Sequence, residues 1–253
     1  RSLRNLEVMA RQSAIVGTAA LGMTMVIISG GIDLSVGSLV AVGTVVIAWL
    51  LQFTGSGPFV SVLGGVTACA LLGLISGAII TRLKVVPFIA TLGMMLVARG
   101  LAKGIGHQQK IDVDIEKLSW LEDLMATVPA DRSWMLLPVG VWILLIAAFV
   151  MAVMLRYTRL GRYTFAIGSN EETARVCGVG ISRVKILVYM VSGLFAGLAG
   201  VMQFSRLTVG DPTVAEGLEL NVIAAVVIGG GSLSGGEGSI TGTLVGALVM
   251  TVI

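Results

Sequence analysis

From Leu34 to Thr81 the chain carries no charged residue. Wound as a single α-helix, that run would be roughly 70 Å long, more than twice the hydrocarbon thickness of a bilayer. It has to fold back on itself, and Thr54-Gly55-Ser56-Gly57-Pro58 supplies the turn. A water-soluble core has no use for two such segments in succession. With 56% hydrophobic and 12% charged residues, the chain is expected to be an all-α, polytopic transmembrane helical bundle.

Gln12–Ile32 offers one span before the Ser29–Ser35 interruption, and Arg82 with Lys84 closes the second hairpin. Val85–Ala102 follows, with Pro87 in the first helical turn, where its missing N–H does least harm, and Arg99 near the far end. Met135–Leu155 and Ile186–Phe204 are two further spans. Between them lies the basic stretch 156–185, in which Arg156, Arg159, Arg162, Arg175, Arg183 and Lys185 face only Glu171 and Glu172. The positive-inside tendency puts that connection in the cytoplasm. The net charge of +3 is thus an orientation signal rather than a nucleic-acid footprint. The longest polar connection, 103–134, holds six acidic residues and four basic ones and fits the outer face, with Trp120, Trp134 and Trp142 as interfacial anchors. Counting crossings backward puts residues 1–11 outside, with their arginines against the charge rule. Either a preceding span forces this, or Gln12–Ile32 crosses only in part. The sequence opens on Arg1 and stops at Ile253 inside an apolar run, as part of a longer polypeptide would; residues 1–253 are read as one transmembrane domain.

Near the C-terminus, Val222–Ile228 is too short to span and is followed by glycine-rich sequence through Gly238. Irregular backbone at this depth must be buried in protein or face water, so a half-helix and turn are expected: a broken or re-entrant helix. In the basic connection, Ser169 or Asn170 can cap a short helix, Glu171–Cys177, whose first-turn carboxylates meet the positive dipole end. Gly178 can end it. Asp33 lies deep in apolar sequence, where a carboxylate is costly, and is expected to cap a helix Leu34–Phe53 more than to touch a substrate. Ser35, Asn221 and Ser232 join it as candidates for the pathway or its helix breaks, among other neutral polar residues such as Gln203. Most Ser and Thr of this kind bond their own backbone.

Three small-residue patterns, Gly73-x-x-x-Gly77, Gly193-x-x-x-Gly197 and Gly242-x-x-x-Gly246, are close-approach signals, read as internal packing. Ser232–Glu237 nearly copies an ATPase signature sequence, but no phosphate loop of the form G-x-x-x-x-G-K-[ST] exists in the chain, so the likeness is rejected. His107 is the single histidine and has no ligand cluster around it; Cys69 and Cys177 are not expected to pair. No catalytic set can be assembled, and no metal site or enzymatic activity is expected.

Several stretches together resemble the membrane permease subunits of ribose-type bacterial ABC importers. They are Gly22–Ile27 leading into Gly30–Leu39 (GGIDLSVGSL), Pro87–Leu92 (PFIATL), Thr158–Tyr163 (TRLGRY), Ala166–Lys185, Glu219–Gly231 and Ser232–Gly246, nearly the whole chain. The resemblance implies a multi-pass protein of the bacterial inner membrane, set in lipid and paired with a second permease copy. It implies a cytosolic ABC ATPase that holds the ATP and magnesium, so that this chain binds no cofactor. It also implies an extracytoplasmic sugar-binding protein that delivers a monosaccharide. Asn170, Glu171, Glu172, Ala174, Arg175 and Gly178 would form the coupling element for the ATPase; Thr173 stands where alanine is common in the family. Outside, Arg132, Arg206, Asp211 and Glu216 are candidates for contact with the binding protein. Aromatics are sparse at 6%, so tight sugar recognition is expected to lie with that protein. The alternatives are an ion- or proton-coupled carrier of a small polar solute, and a membrane scaffold without transport.

Overall fold

The computed structural model describes residues 2–126 and 138–252. Among the described residues, six helices are long and apolar enough to cross a bilayer. They lie within α1 (Ser2–Ile28), α2 (Val36–Phe53), α3 (Pro58–Arg82), α4 (Pro87–Ile105), α6 (Val139–Tyr157) and α9 (Ile181–Leu207). The turn after α2 falls at residues 54–57, with Gly55 at φ +66°, and Pro58 and Pro87 each open a helix where an N–H is unbonded anyway. Trp134 and Arg132 lie outside the described residues.

The bundle has a centre and a rim. In the apolar stretches of α1 and α2, 89% and 72% of residues are buried, against 28% in α3, α4 and α6. The rim helices turn Phe59, Leu71, Leu96, Ile146 and Phe149 outward, as lipid contact requires. α1 is long enough to cross in full: its apolar part, Glu7–Ile28, has 22 residues, about 33 Å. Near its start Arg11 Nη1 donates to the Met125 carbonyl at 2.9 Å, which sets that end beside the long polar connection. The opposite end carries Arg82, Lys84, Arg156, Arg159, Arg162, Arg175, Arg183 and Lys185, the basic side that the positive-inside tendency assigns to the cytoplasm.

All three glycine patterns lie in internal seams. A Cβ at Gly193 would strike the Cys69 carbonyl, one at Gly73 the Tyr189 carbonyl, and one at Gly197 would come within 2.8 Å of the Val66 Cα, so α3 and α9 touch backbone to backbone. Gly242 and Gly246 do the same against Gly229 and the Ala225 carbonyl, joining α10 (Leu218–Ile228) to α11 (Ile240–Val252). At 11 and 13 residues neither helix spans alone. They form the expected broken hairpin, which starts at Leu218, four residues earlier than expected. It leans on α1 through a Thr24–Thr243 hydroxyl pair at 2.7 Å.

Three features depart from the expectations. The basic connection contains a second helix, α7 (Arg159–Ser169), ahead of α8 (Glu171–Val176), and α9 begins at Ile181 rather than Ile186. The helical hydrogen-bond ladder thus runs past the hydrocarbon into polar sequence, and Arg183 and Lys185 ride on a helix rather than in a loop. On the outer side, α5 (Ile115–Leu118) and a 3₁₀ turn, Ser119–Leu124, fill part of the long connection. Next to them β1 (Ile111–Asp112) pairs antiparallel with β2 (Val209–Gly210).

The α3–α9 seam makes a direct prediction. Gly193→Leu forces the two backbones apart and is expected to cost about 2–3 kcal/mol, read as a lowered thermal midpoint in detergent. Gly93→Leu, at a position with open space around it, leaves the midpoint unchanged. Equal melting of the two variants would refute the seam.

Candidate functional site

The cytoplasmic connection is built by capping. The Thr158 hydroxyl accepts from Gly161 N–H at 3.2 Å and starts α7. Asn170 then serves two helices at once: its N–H bonds the Ala166 carbonyl at the end of α7, and its side-chain oxygen accepts from Thr173 N–H at 2.8 Å to open α8. Of the two expected caps, Ser169 and Asn170, it is Asn170 that acts. Gly178, at φ +83°, closes α8 with two bonds, Gly178 N–H to the Arg175 carbonyl and Val179 N–H to the Ala174 carbonyl, both 3.0 Å. The helix ends at Val176, one residue before the expected Cys177.

The three faces of α8 have separate surroundings. Ala174 is buried against the bundle. Glu171 accepts from Arg175 at 2.9 Å and from Lys185, on α9, at 2.6 Å. The hydrogen bond from Lys185 is the largest influence holding the Glu171 carboxyl below its ordinary range; partial burial opposes it, and Arg175 assists. The remaining face, with Glu172, Thr173 and Val176, is open, and Val176 is 88% exposed.

Behind α8 three chain segments meet through their backbones. Gly236 N–H donates to the Ile28 carbonyl at 2.9 Å. A Cβ on Gly168 would run into that same carbonyl, and one on Gly235 would lie 2.8 Å from the Gly168 carbonyl. The end of α1, the end of α7 and the turn between α10 and α11 are thereby locked together beside Asn170. Ser232 belongs to that turn, where its N–H bonds the Glu237 carbonyl at 3.2 Å and its hydroxyl accepts from Ser234 N–H at 3.3 Å. The stretch resembling an ATPase signature is thus a tight inner-face turn.

Asp33 differs from the expectation of a helix cap. α2 begins at Val36, and Asp33 instead holds the preceding turn: Oδ1 accepts from Ser35 N–H at 3.0 Å and from the Ser35 hydroxyl at 2.6 Å. Oδ2 accepts from Ser192 on α9 at 3.0 Å. Asp33 and Ser35 are both fully buried and are structural in this conformation.

On the outer side a cavity of about 210 Å³ lies between α1, α9 and the start of α10. Its polar lining is Gln12, Gln203, Arg206, Glu216 and Asn221. The cavity unites Asn221 with two of the expected outer contacts, Arg206 and Glu216. Asp211 is elsewhere: 6% exposed, it accepts from Thr213 N–H at 2.9 Å and pairs with Lys110 at 3.1 Å. Burial pushes its carboxyl up, but Thr213 and Lys110 outweigh this and hold it below the usual value. Arg99 fastens the same loop by donating to the Pro212 and Val214 carbonyls at 2.9 and 2.8 Å. Arg132, the fourth expected contact, lies outside the described residues.

Residues 5–253 match the model of the family described as branched-chain amino acid transport system / permease component. The chain belongs to that family. The permease is 39% identical to the ribose import permease protein RbsC of Escherichia coli K12 over 249 residues, covering 98% of this chain and 76% of the relative. It is 40% identical to RbsC of Bacillus subtilis over 247 residues, 97% of this chain and 74% of that one. With the L-arabinose ABC transporter permease protein AraH of Azospirillum brasilense it shares 36% identity over 247 residues, 98% of this chain and 70% of the other. No solved structure matches the chain. With its six apolar helices, the permease is a multi-pass protein of the bacterial inner membrane.

Several residues at these junctions escaped sequence reasoning. Gly168 and Ile28 meet Gly236 by backbone, and Val176 and Gln12 are ordinary residues until their surroundings are known. Gly236 belongs to the expected glycine-rich turn, and the signal for Gly168 is a glycine where no turn is evident.

The Glu171 tether is open to test by pH. A carboxyl whose folded value is depressed stabilises the fold above its unfolded value of 4.5, and that contribution is lost as pH falls through the lower folded value. At about pH 7, Glu171→Gln is expected to speed amide exchange across α8 by about fivefold, the scale of a partly exposed ion pair. Wild type should approach the variant only in acid. Identical exchange at both pH values would show that α8 is held without the tether.

Proposed function

We propose that this permease carries a monosaccharide, ribose or a related sugar, across the inner membrane as a subunit of an ATP-driven importer. An extracytoplasmic binding protein delivers the sugar, and a separate cytosolic ATPase drives the cycle through α8. The observation that carries this reading is the open face of α8, bearing Val176, set directly on the Asn170 junction. A groove on the ATPase that takes Val176 would grip a helix whose base is fixed to α1 and to the α10–α11 turn. Pulling α8 then moves the two elements that wall the outer cavity, without an intervening flexible loop.

The sugar assignment is supported by relatives named for ribose and L-arabinose. The polar lining of the outer cavity, three amides with Arg206 and Glu216, offers hydrogen bonds that suit hydroxyl-rich solutes. Asn221 is exposed on an apolar stripe with Leu220, Val227 and Ile228. An amide facing lipid is costly, so this stripe suits a second permease copy, with the pathway between the two. An ion-coupled mechanism draws no support from Asp33, whose hydrogen bonds come from the Ser35 N–H and the Ser35 and Ser192 hydroxyls and from no second titratable group.

Proteoliposomes holding the permease, its ATPase and its binding protein test this. Val176→Asp puts a charge where an apolar contact must close and is expected to cut ATP-dependent uptake about tenfold or more. Val176→Leu retains uptake, and ionophores have no effect. Full uptake by Val176→Asp, or uptake that collapses with an ion gradient, would sink the proposal.

A further inference from the structure

A groove of about 930 Å³ opens at the cytoplasmic surface between the α3–α4 turn, α8 and the start of α9. Lys84, Arg175, Arg183 and Lys185 line it, with Glu171 the one carboxylate, so four cations against one anion leave three net positive charges. Glu171 is already shared by Arg175 and Lys185. Lys84 and Arg183 have no ion-pair partner among the described residues. Lys84 also holds a left-handed backbone conformation, φ +54°, that glycine would adopt without strain.

The rim decides what such a groove receives. Ile80, Val85 and Val86 form part of its wall, and the chain entering the bilayer beside it exposes Leu83, Val86, Phe88 and Ile89. One side of the groove is therefore hydrocarbon-facing while the other is cationic. The open face of α8, with Glu172, Thr173 and Val176, is not part of the lining, so an occupant here and a protein on α8 would not compete for the same side chains. We infer that this groove binds the phosphate headgroup of an anionic phospholipid of the inner leaflet, whose acyl chains lie along the exposed start of α4. Basic pockets between membrane helices on the cytoplasmic side take such headgroups, and inner-leaflet charge concentrates them there. The bound phosphate would neutralise Lys84 and Arg183 and brace the base of α8 against α4.

Native mass spectrometry of the full-length permease, purified from membranes and exchanged into phosphatidylglycerol or phosphatidylcholine, reads this directly. Wild type is expected to retain phosphatidylglycerol over phosphatidylcholine. Lys84→Gln combined with Arg183→Gln should cut that retention about thirtyfold, the effect of two cations at a membrane surface. Lys84→Arg with Arg183→Lys should restore it, which separates lost charge from misfolding. Four results would overturn the inference: equal retention of both lipids, undiminished phosphatidylglycerol on the Gln variant, no restoration by the charge-conserving variant, or displacement of the lipid by millimolar inorganic phosphate alone. So would a Gln variant that keeps its lipid but no longer co-purifies with the ATPase, since the groove would then be a protein-docking surface.

Discussion

The last carbonyls of a membrane helix have no water to turn to, and α1 ends in the middle of protein. Its Ile28 carbonyl is answered by Gly236 N–H, a donor from more than 200 positions further along the chain. That single requirement brings the glycine-rich turn to the end of α1. It also makes room for Gly168, because only a residue without a Cβ can pass so close to the same carbonyl. The end of α7, the broken hairpin and the central span are consequently parts of one object, and α8 follows directly on it at Asn170. Whatever acts on α8 acts on the bundle's interior.

The same economy runs through the rest of the bundle. Apolar side chains give no preference for protein over lipid, so the seams are made where backbones approach, along Gly73, Gly77, Gly193 and Gly197. Hydroxyls supply the directional contacts, from Thr24 to Thr243 and from Ser192 to Asp33. Polar groups then collect at the two ends. At the inner end they are mostly basic and flank α8; at the outer end charges of both signs, such as Lys110 with Asp211, stand beside the amides Gln12, Gln203 and Asn221.

Much of this was legible from residue order because hydrocarbon thickness is a fixed ruler. The uncharged run ending at Thr81, the turn at Gly55 and the prolines opening α3 and α4 place α2, α3 and α4 to within about three residues, whereas α1 starts well before the expected Gln12 and ends at Ile28 rather than Ile32. Asn170 and Gly178 of the basic stretch mark the two ends of α8 for a related reason, since caps act locally. What escaped depends on distant partners. α7 is amphipathic, with Leu160, Phe165 and Ile167 toward the core, but it lies in a stretch whose arginines mark it as a polar connection. The main partner holding Asp33 across the bundle, Ser192, is 159 residues away, beyond any local pattern. Gln12 marked only the edge of a hydrophobic run until α9 and α10 were seen to lean over it.

Asn170 belongs to two helices and leaves no residue spare between them. α7 and α8 therefore form one stiff elbow at the basic end of the bundle, jointed at a single residue. A change in the angle between them has to come from the backbone torsions of that joint, because no slack chain lies between the two helices to absorb it.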